Sequence, residues 1–207
     1  ALNADLLDGK HATAFLQHPA NVVVVAKSGG DFDTITAALD SITDAGESNR
    51  YLVKVMPGVY TERVTMKPYV DIEGAGELAT KITYTGSYLP DTGTLVGADN
   101  AEARFLTAEN TGGDDMAIAI YNGAGSPRLT NVTAIALGTR SGLGVYSYNC
   151  SPVMTNVTAS AVGVYESYGV FNDASSVVMT HVIATASGGK SATPTSEAST
   201  RRSSSVM

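Results

Sequence analysis

The chain has 207 residues and a net charge of −7, with a pI near 4.8, so the basic surface that neutralises nucleic-acid phosphates is missing as a global feature. Its purely apolar runs, such as Val22 to Ala26, fall far short of the roughly 20 residues that a membrane-crossing helix needs. The single cysteine, Cys150, excludes an internal disulfide, and 21 Gly with abundant Ser and Thr and no Trp suit short strands and turns better than helices.

In chain order, residues 1–20 are polar with scattered Leu and Phe and end near Pro19; they read as an adaptor arm. The chain opens on Ala1 with no basic-then-apolar leader, which reads as an excised or processed fragment. Val22 to Val25 predicts a strand and Ser28-Gly29-Gly30 a turn. A helix is expected over 34–45, capped by Asp33 or Thr34, with Ile35, Ala38, Leu39 and Ile42 on one stripe and Gly46 placed to stop it. Tyr51 to Met56 is β-rich, and Pro57-Gly58 is a turn. Val64, Met66, Val70 and Ile72 fall in short alternating segments before Gly74-Ala75-Gly76. Further strands are expected over Lys81 to Thr85 and Arg104 to Thr107.

From about residue 107 a phrase recurs every 25 residues: SPRLTNVTAIA at Ser126, SPVMTNVTASA at Ser151 and SVVMTHVIATA at Ser176. A period of this length marks a solenoid, whose windings bury their apolar faces only by stacking on one another. The composition favours β windings over helical repeats. Stacking predicts ladders of like side chains: Leu129, Met154 and Met179; the aromatic rings of Tyr121, Tyr146 and Phe171; and the polar column of Asn131, Asn156 and His181. Residues 187–207, polar and rich in Ser and Thr, read as a flexible or irregular tail.

The segment VVVVAKSGGDFDTITAALDS through RYLVKVMPGVYTERVTM to DIEGAG, covering about 21–86, resembles the N-terminal part of the pectinesterase-like, pectin lyase-like proteins. It shares their Gly-Asp-Phe before an amphipathic helix, a G-x-Y-x-E at Gly58, Tyr60 and Glu62, and a closing G-x-G at Gly74 and Gly76. The resemblance implies an all-β fold, a right-handed parallel β-helix with a short N-terminal capping α-helix. The expected organisation is an arm at 1–20, a β-helix at 21–186 with its cap at 21–56, and the tail at 187–207. LNADLLDGKHATAF is similar to a segment found in phage tail fibres and bacterial surface repeat proteins, which implies a trimeric setting at a cell surface, outside the cell or on a virion.

In the resembled esterases the chemistry is acyl transfer by two aspartates, a glutamine-based oxyanion site and an arginine on successive windings. Here NTGGDDMAIAIY (110–121) places Met116 where the first glutamine would stand, and Ala136-Leu137-Gly138-Thr139-Arg140 stands where a Gln-Asp pair would follow. A thioether cannot donate to an oxyanion. After Asp115 the acids are Glu166, Asp173 and Glu197. The expectation is therefore a non-catalytic structural or adhesive module, with no catalytic residues, cofactor or metal assigned. The alternative is a polysaccharide-degrading enzyme (lyase, hydrolase or pectinesterase-like esterase) with Glu166 and Asp173 as its carboxylate pair.

Asp114 and Asp115, with Asp91 and Asp99 upstream, read more readily as solvated loops than as a calcium site. Tyr148, Tyr165, Glu166, Tyr168 and Asp173 are the candidate glycan contacts, because rings stack on apolar sugar faces while carboxylates fix hydroxyls. The competing reading of this region puts Tyr146 in an internal aromatic stack and the other rings at the surface. The expected partners are a polysaccharide or surface glycan and further copies of the chain, with no nucleic acid and no membrane span.

Overall fold

The structure, a computed structural model, describes residues 21–86, 92–113, 115–123 and 125–188. The predicted arm at 1–20, and all of the predicted tail except its first two residues, lie outside them.

Strand β1 (Asn21–Val25) leads into α1 (Ile35–Ser41), where the Thr34 hydroxyl accepts the Ala37 amide at 3.3 Å. The helix stops short of the expected 45. Ile42 turns extended (φ −86°, ψ 109°), its N–H closes on the Leu39 carbonyl, and its side chain is buried in the core. Burying Ile42 ends the helix before Gly46 can.

Next come β2 (Tyr51–Val55), β3 (Gly58–Thr61) and β4 (Val64–Thr65), then β5 (Val70–Glu73), β6 (Thr80–Tyr84) and β7 (Leu95–Val96). In later windings the first two segments fuse: β8 (Glu102–Asn110) precedes β9 (Met116–Asn122), β10 (Arg128–Leu137) precedes β11 (Ser141–Tyr148), and β12 (Val153–Val162) precedes β13 (Glu166–Asp173). β14 (Val178–Thr180) and β15 (Ile183–Ser187) follow. The named strands pair in parallel, forming one ten-stranded sheet and one five-stranded sheet in the order β13-β11-β9-β7-β4. The fold is a parallel β-solenoid with one short helix.

One buried column shows the register. Val23, Val53, Ile72, Ala103, Leu129, Met154 and Met179 follow one another across seven strands. Five of them, Val53 to Met154, are fully buried. The stack thus begins well before residue 107, but its early spacings are uneven because turns of different length separate the windings.

Strict strand alternation would put Leu129 and Val132 on opposite faces. Both are buried, because Asn131 between them adopts a left-handed conformation (φ +51°) that resets the pleat. Phe105 (+56°), Asn156 (+53°) and His181 (+50°) make the same corner in neighbouring windings. Asn tolerates this region better than most side chains, and the Asn156 amide also donates to Asn131 Oδ1 at 3.1 Å.

The N-terminal motifs act as fasteners. The Glu62 carboxylate accepts the amides of Ile35 (2.9 Å) and Thr36 (2.8 Å) and the Thr36 hydroxyl (2.6 Å), tying the start of α1 to the first winding. Tyr60 is fully buried, with its hydroxyl donating to the Met56 carbonyl at 2.9 Å. Gly74 lies so close to the next winding that a Cβ there would sit 2.3 Å from the Phe105 carbonyl oxygen. A glycine is needed at that crossing.

Candidate functional site

The five-stranded sheet has apolar residues on both faces. Ala117, Ala119, Val145 and Val170 belong to the main core, whereas Val96, Ile118, Tyr121 and Leu143 form a second cluster joined by Met116, Tyr146, Tyr168 and Phe171. Ile118 alternates between Ala117 and Ala119, so the second cluster marks the outer face. The aromatic ladder predicted from the repeat therefore runs along the outside of this sheet, apart from the main core. Its ring centroids are 5.5 Å apart for Tyr121–Tyr146, 5.4 Å for Tyr146–Phe171 and 5.0 Å for Tyr168–Phe171, all tilted. These separations lie in the range that aromatic pairs prefer.

Register lays further columns on this face. Met116, Ser141 and Glu166 are direct neighbours, as are Ile118, Leu143 and Tyr168. One position earlier, the amide of Arg140 donates to the Asp115 carbonyl (3.1 Å) and that of Tyr165 to the Arg140 carbonyl (2.8 Å), so Asp115, Arg140 and Tyr165 stack as well. The Arg140 guanidinium lies 3.3 Å from the Asp115 carboxylate and 5.4 Å from the centre of the Tyr165 ring. Glu166 and Tyr165 are exposed, Tyr168 is half-buried, and Ser141 is nearly buried between Met116 and Glu166. One end of the sheet thus gathers a guanidinium, two carboxylates, a hydroxyl and the Tyr165 ring, with Tyr168 two positions beyond Glu166.

The five candidate glycan contacts separate along β13. Tyr165 and Glu166 stand at its start, Tyr168 in the middle, and Asp173 at its end in register with the exposed Tyr148. Glu166 and Asp173 are seven positions apart on one strand, about 23 Å at strand rise. That separation corrects the expected carboxylate pair, since glycosidic chemistry needs its two carboxyls about 5–9.5 Å apart. The neighbour of Glu166 in register is Ser141, and the column of Asp115, Arg140 and Tyr165 adjoins theirs. Extending the 25-residue interval to 115, 140, 165 and to 116, 141, 166 would have found them in the sequence.

Asp91 and Asp114 of the weighed calcium site lie outside the described residues. Asp99 accepts the Ser126 amide at 2.8 Å and Asp115 pairs with Arg140. Among the described residues no three His, Cys, Asp or Glu side chains gather as metal ligands. The Cys150 thiol donates to the Asn122 carbonyl at 2.6 Å, and burial pushes its pKa up.

Residues 21–155, well over half of the chain, match the Pectinesterase family. Over 69 residues (32% of the chain, 19% of the relative) it is 42% identical to a probable pectinesterase of Arabidopsis thaliana. Over 98 residues (44% and 27%) it is 35% identical to another pectinesterase of that plant. In structure it is similar to the pectin methylesterase of Erwinia chrysanthemi, with a TM-score of 0.58 at 19% identity over 77% of the chain and 53% of that protein, a likeness of fold. The chain matches under a third of the length of these curated relatives. The expectation of a non-catalytic structural or adhesive module is overturned by these matches, which run to named esterases. The tail-fibre and trimer expectations rested on residues 1–20 and have no support in the matched region.

Proposed function

The chain belongs to the pectinesterase family, and from that premise we propose that it acts on methyl-esterified polyuronate, with the outer face of the five-stranded sheet as its site. One observation supports this most: parallel register stacks Ser141 and Glu166 on that face, and the column of Asp115, Arg140 and Tyr165 stands next to them at the rim of the sheet.

The rings of Tyr165 and Tyr168 offer apolar surfaces on which sugar faces stack. In the reaction the Glu166 carboxylate takes a proton from water as the water oxygen bonds to the ester carbonyl carbon. The oxyanion receives hydrogen bonds from Arg140 and from the Ser141 hydroxyl, donors that the Met116 thioether cannot supply. Collapse breaks the bond to the methoxy oxygen, which takes the proton from Glu166 and leaves as methanol. The new carboxylic acid ionises and its proton passes to solvent. A substrate of this kind lies in cell walls, so the reading places the protein outside the cell.

The test is methanol release from methyl-esterified polygalacturonan by the whole chain. Glu166→Gln should slow release by at least a hundredfold, the usual worth of a positioned proton acceptor. An unmodified chain that releases no methanol above the uncatalysed rate, or a variant as fast as the parent, refutes the reading.

A further inference from the structure

A second polar site lies on the ten-stranded sheet, at the corner where the chain arrives from the far end of the five-stranded sheet. Arg50, Asp71, Asn100, Ala101, Glu102, Ser126 and Arg128 line an open cleft of about 300 Å³ there, near the lower bound for small-ligand sites. It belongs to the opposite end of the windings from Arg140 and Glu166.

The carboxylates on its floor are already committed. Asp71 accepts from Arg50 (3.2 Å) and from the Glu102 amide (2.9 Å), and its second oxygen lies 3.8 Å from Arg104. Glu102 pairs with Arg104 at 2.9 Å and accepts the Thr130 hydroxyl at 2.5 Å. Asp99, beside the cleft, holds the Ser126 amide at 2.8 Å. Arg50 is equally engaged, by Asp71 and by the Asn100 carbonyl at 2.8 Å.

Arg128 differs. It is exposed and lies in register with Glu102, yet no carboxylate of the described residues comes within ion-pair distance of its guanidinium. Beside it, the Ser126 oxygen accepts the Ser151 amide at 2.8 Å, which leaves the hydroxyl hydrogen free to donate. Asp71, Glu102 and Asp99 already accept from arginines, backbone amides and a hydroxyl, so the floor is poorly prepared to ligate a cation. A fork with no ion pair among the described residues, and a hydroxyl donor next to it, suits a planar, singly charged anion.

We infer that this cleft binds a carboxylate of an acidic saccharide through Arg128 and Ser126, as a second site that holds the polymer away from the reacting face. The choice of saccharide rests on the polyuronate reading; the anion site itself does not.

Trigalacturonate titrated into the whole chain, followed by amide NMR, tests the inference. Shifts are expected at Asn100, Ser126 and Arg128, and Arg128→Ala should weaken affinity at those signals about tenfold, the loss of one charge-assisted contact. Methanol release from a short methyl ester should not change in that variant. Arg128→Lys, which keeps charge and loses the fork, should recover only part of the affinity. Absent shifts at millimolar saccharide, or unchanged affinity in Arg128→Ala, would overturn the proposal, and so would inorganic phosphate or neutral trigalactose shifting these signals equally well. Cleft shifts without methanol release would sink the esterase reading and leave this one standing. Methanol release with a silent cleft would do the reverse.

Discussion

The windings built from β1 to β7 and those built from β8 to β15 solve one stacking problem in two ways. In the early windings the buried column steps unevenly, from Val23 to Val53 to Ile72 to Ala103, and individual contacts hold the register: Glu62 on the start of α1, Gly74 under the Phe105 carbonyl, and Arg104 between Glu73 and Glu102. In the late windings Leu129, Met154 and Met179 recur at one interval, and the corner at Asn131, Asn156 and His181 recurs with them. Repetition can replace dedicated fasteners once each winding presents the same surface to the next.

The largest effect should come from breaking the repetitive part at its core. Leu129→Ala is expected to cost about 3 kcal/mol, through lost burial and the cavity left behind. Leu137→Ala, on an exposed side chain of the same strand, should cost under about 0.5 kcal/mol. Urea unfolding of both variants checks this, and similar losses would mean that the stack is not packed as described.

The early part should break at its fastener. Glu62→Ala removes a carboxylate that serves three donors and is expected to cost about 2 kcal/mol. Amide exchange should speed up in α1 before it does in β10 and β12. Uniform acceleration along the chain would erase the proposed division of labour.

A smaller change is expected at the repeated corner. Asn156→Ala should cost about 1 kcal/mol, because alanine resists the left-handed conformation, whereas Asn156→Gly should cost less despite losing the amide bond. The reverse order in thermal melts would make the amide ladder, rather than the corner, the important feature.

The smallest effect at neutral pH concerns Tyr60. Burial, with the charge of Glu62 second, raises its pKa, so the folded chain keeps a proton that the unfolded chain releases. Stability from this source is complete below the ordinary tyrosine value of about 10 and falls as pH rises through the higher folded value. Denaturation midpoints of Tyr60→Phe should fall less than those of the parent between about pH 9 and 11.

The late windings were legible because like residues meet their own equivalents: the phrase at Ser126, Ser151 and Ser176 already contains the register. The motif GVYTE pointed to the cap, but its spacing does not reveal that Glu62 reaches the start of α1. The side of the aromatic ladder was not legible either. Left-handed corners and a switch of face near Ala119 defeat simple alternation, and two faces of one sheet are both apolar. The places of Arg140 and Ser141 in the stack were not legible because the residues above and below them are of other types. A ladder of unlike side chains has no repeated letter to betray it.

The most direct measurement of the central claim is the structure of the chain bound to a partly methyl-esterified oligogalacturonate. The account predicts a sugar face on the Tyr165 ring, with an ester carbonyl within hydrogen-bond reach of Arg140 and the Glu166 carboxylate beside it. An oligosaccharide seated on another face of the solenoid, with Tyr165, Arg140 and Glu166 untouched, would contradict it.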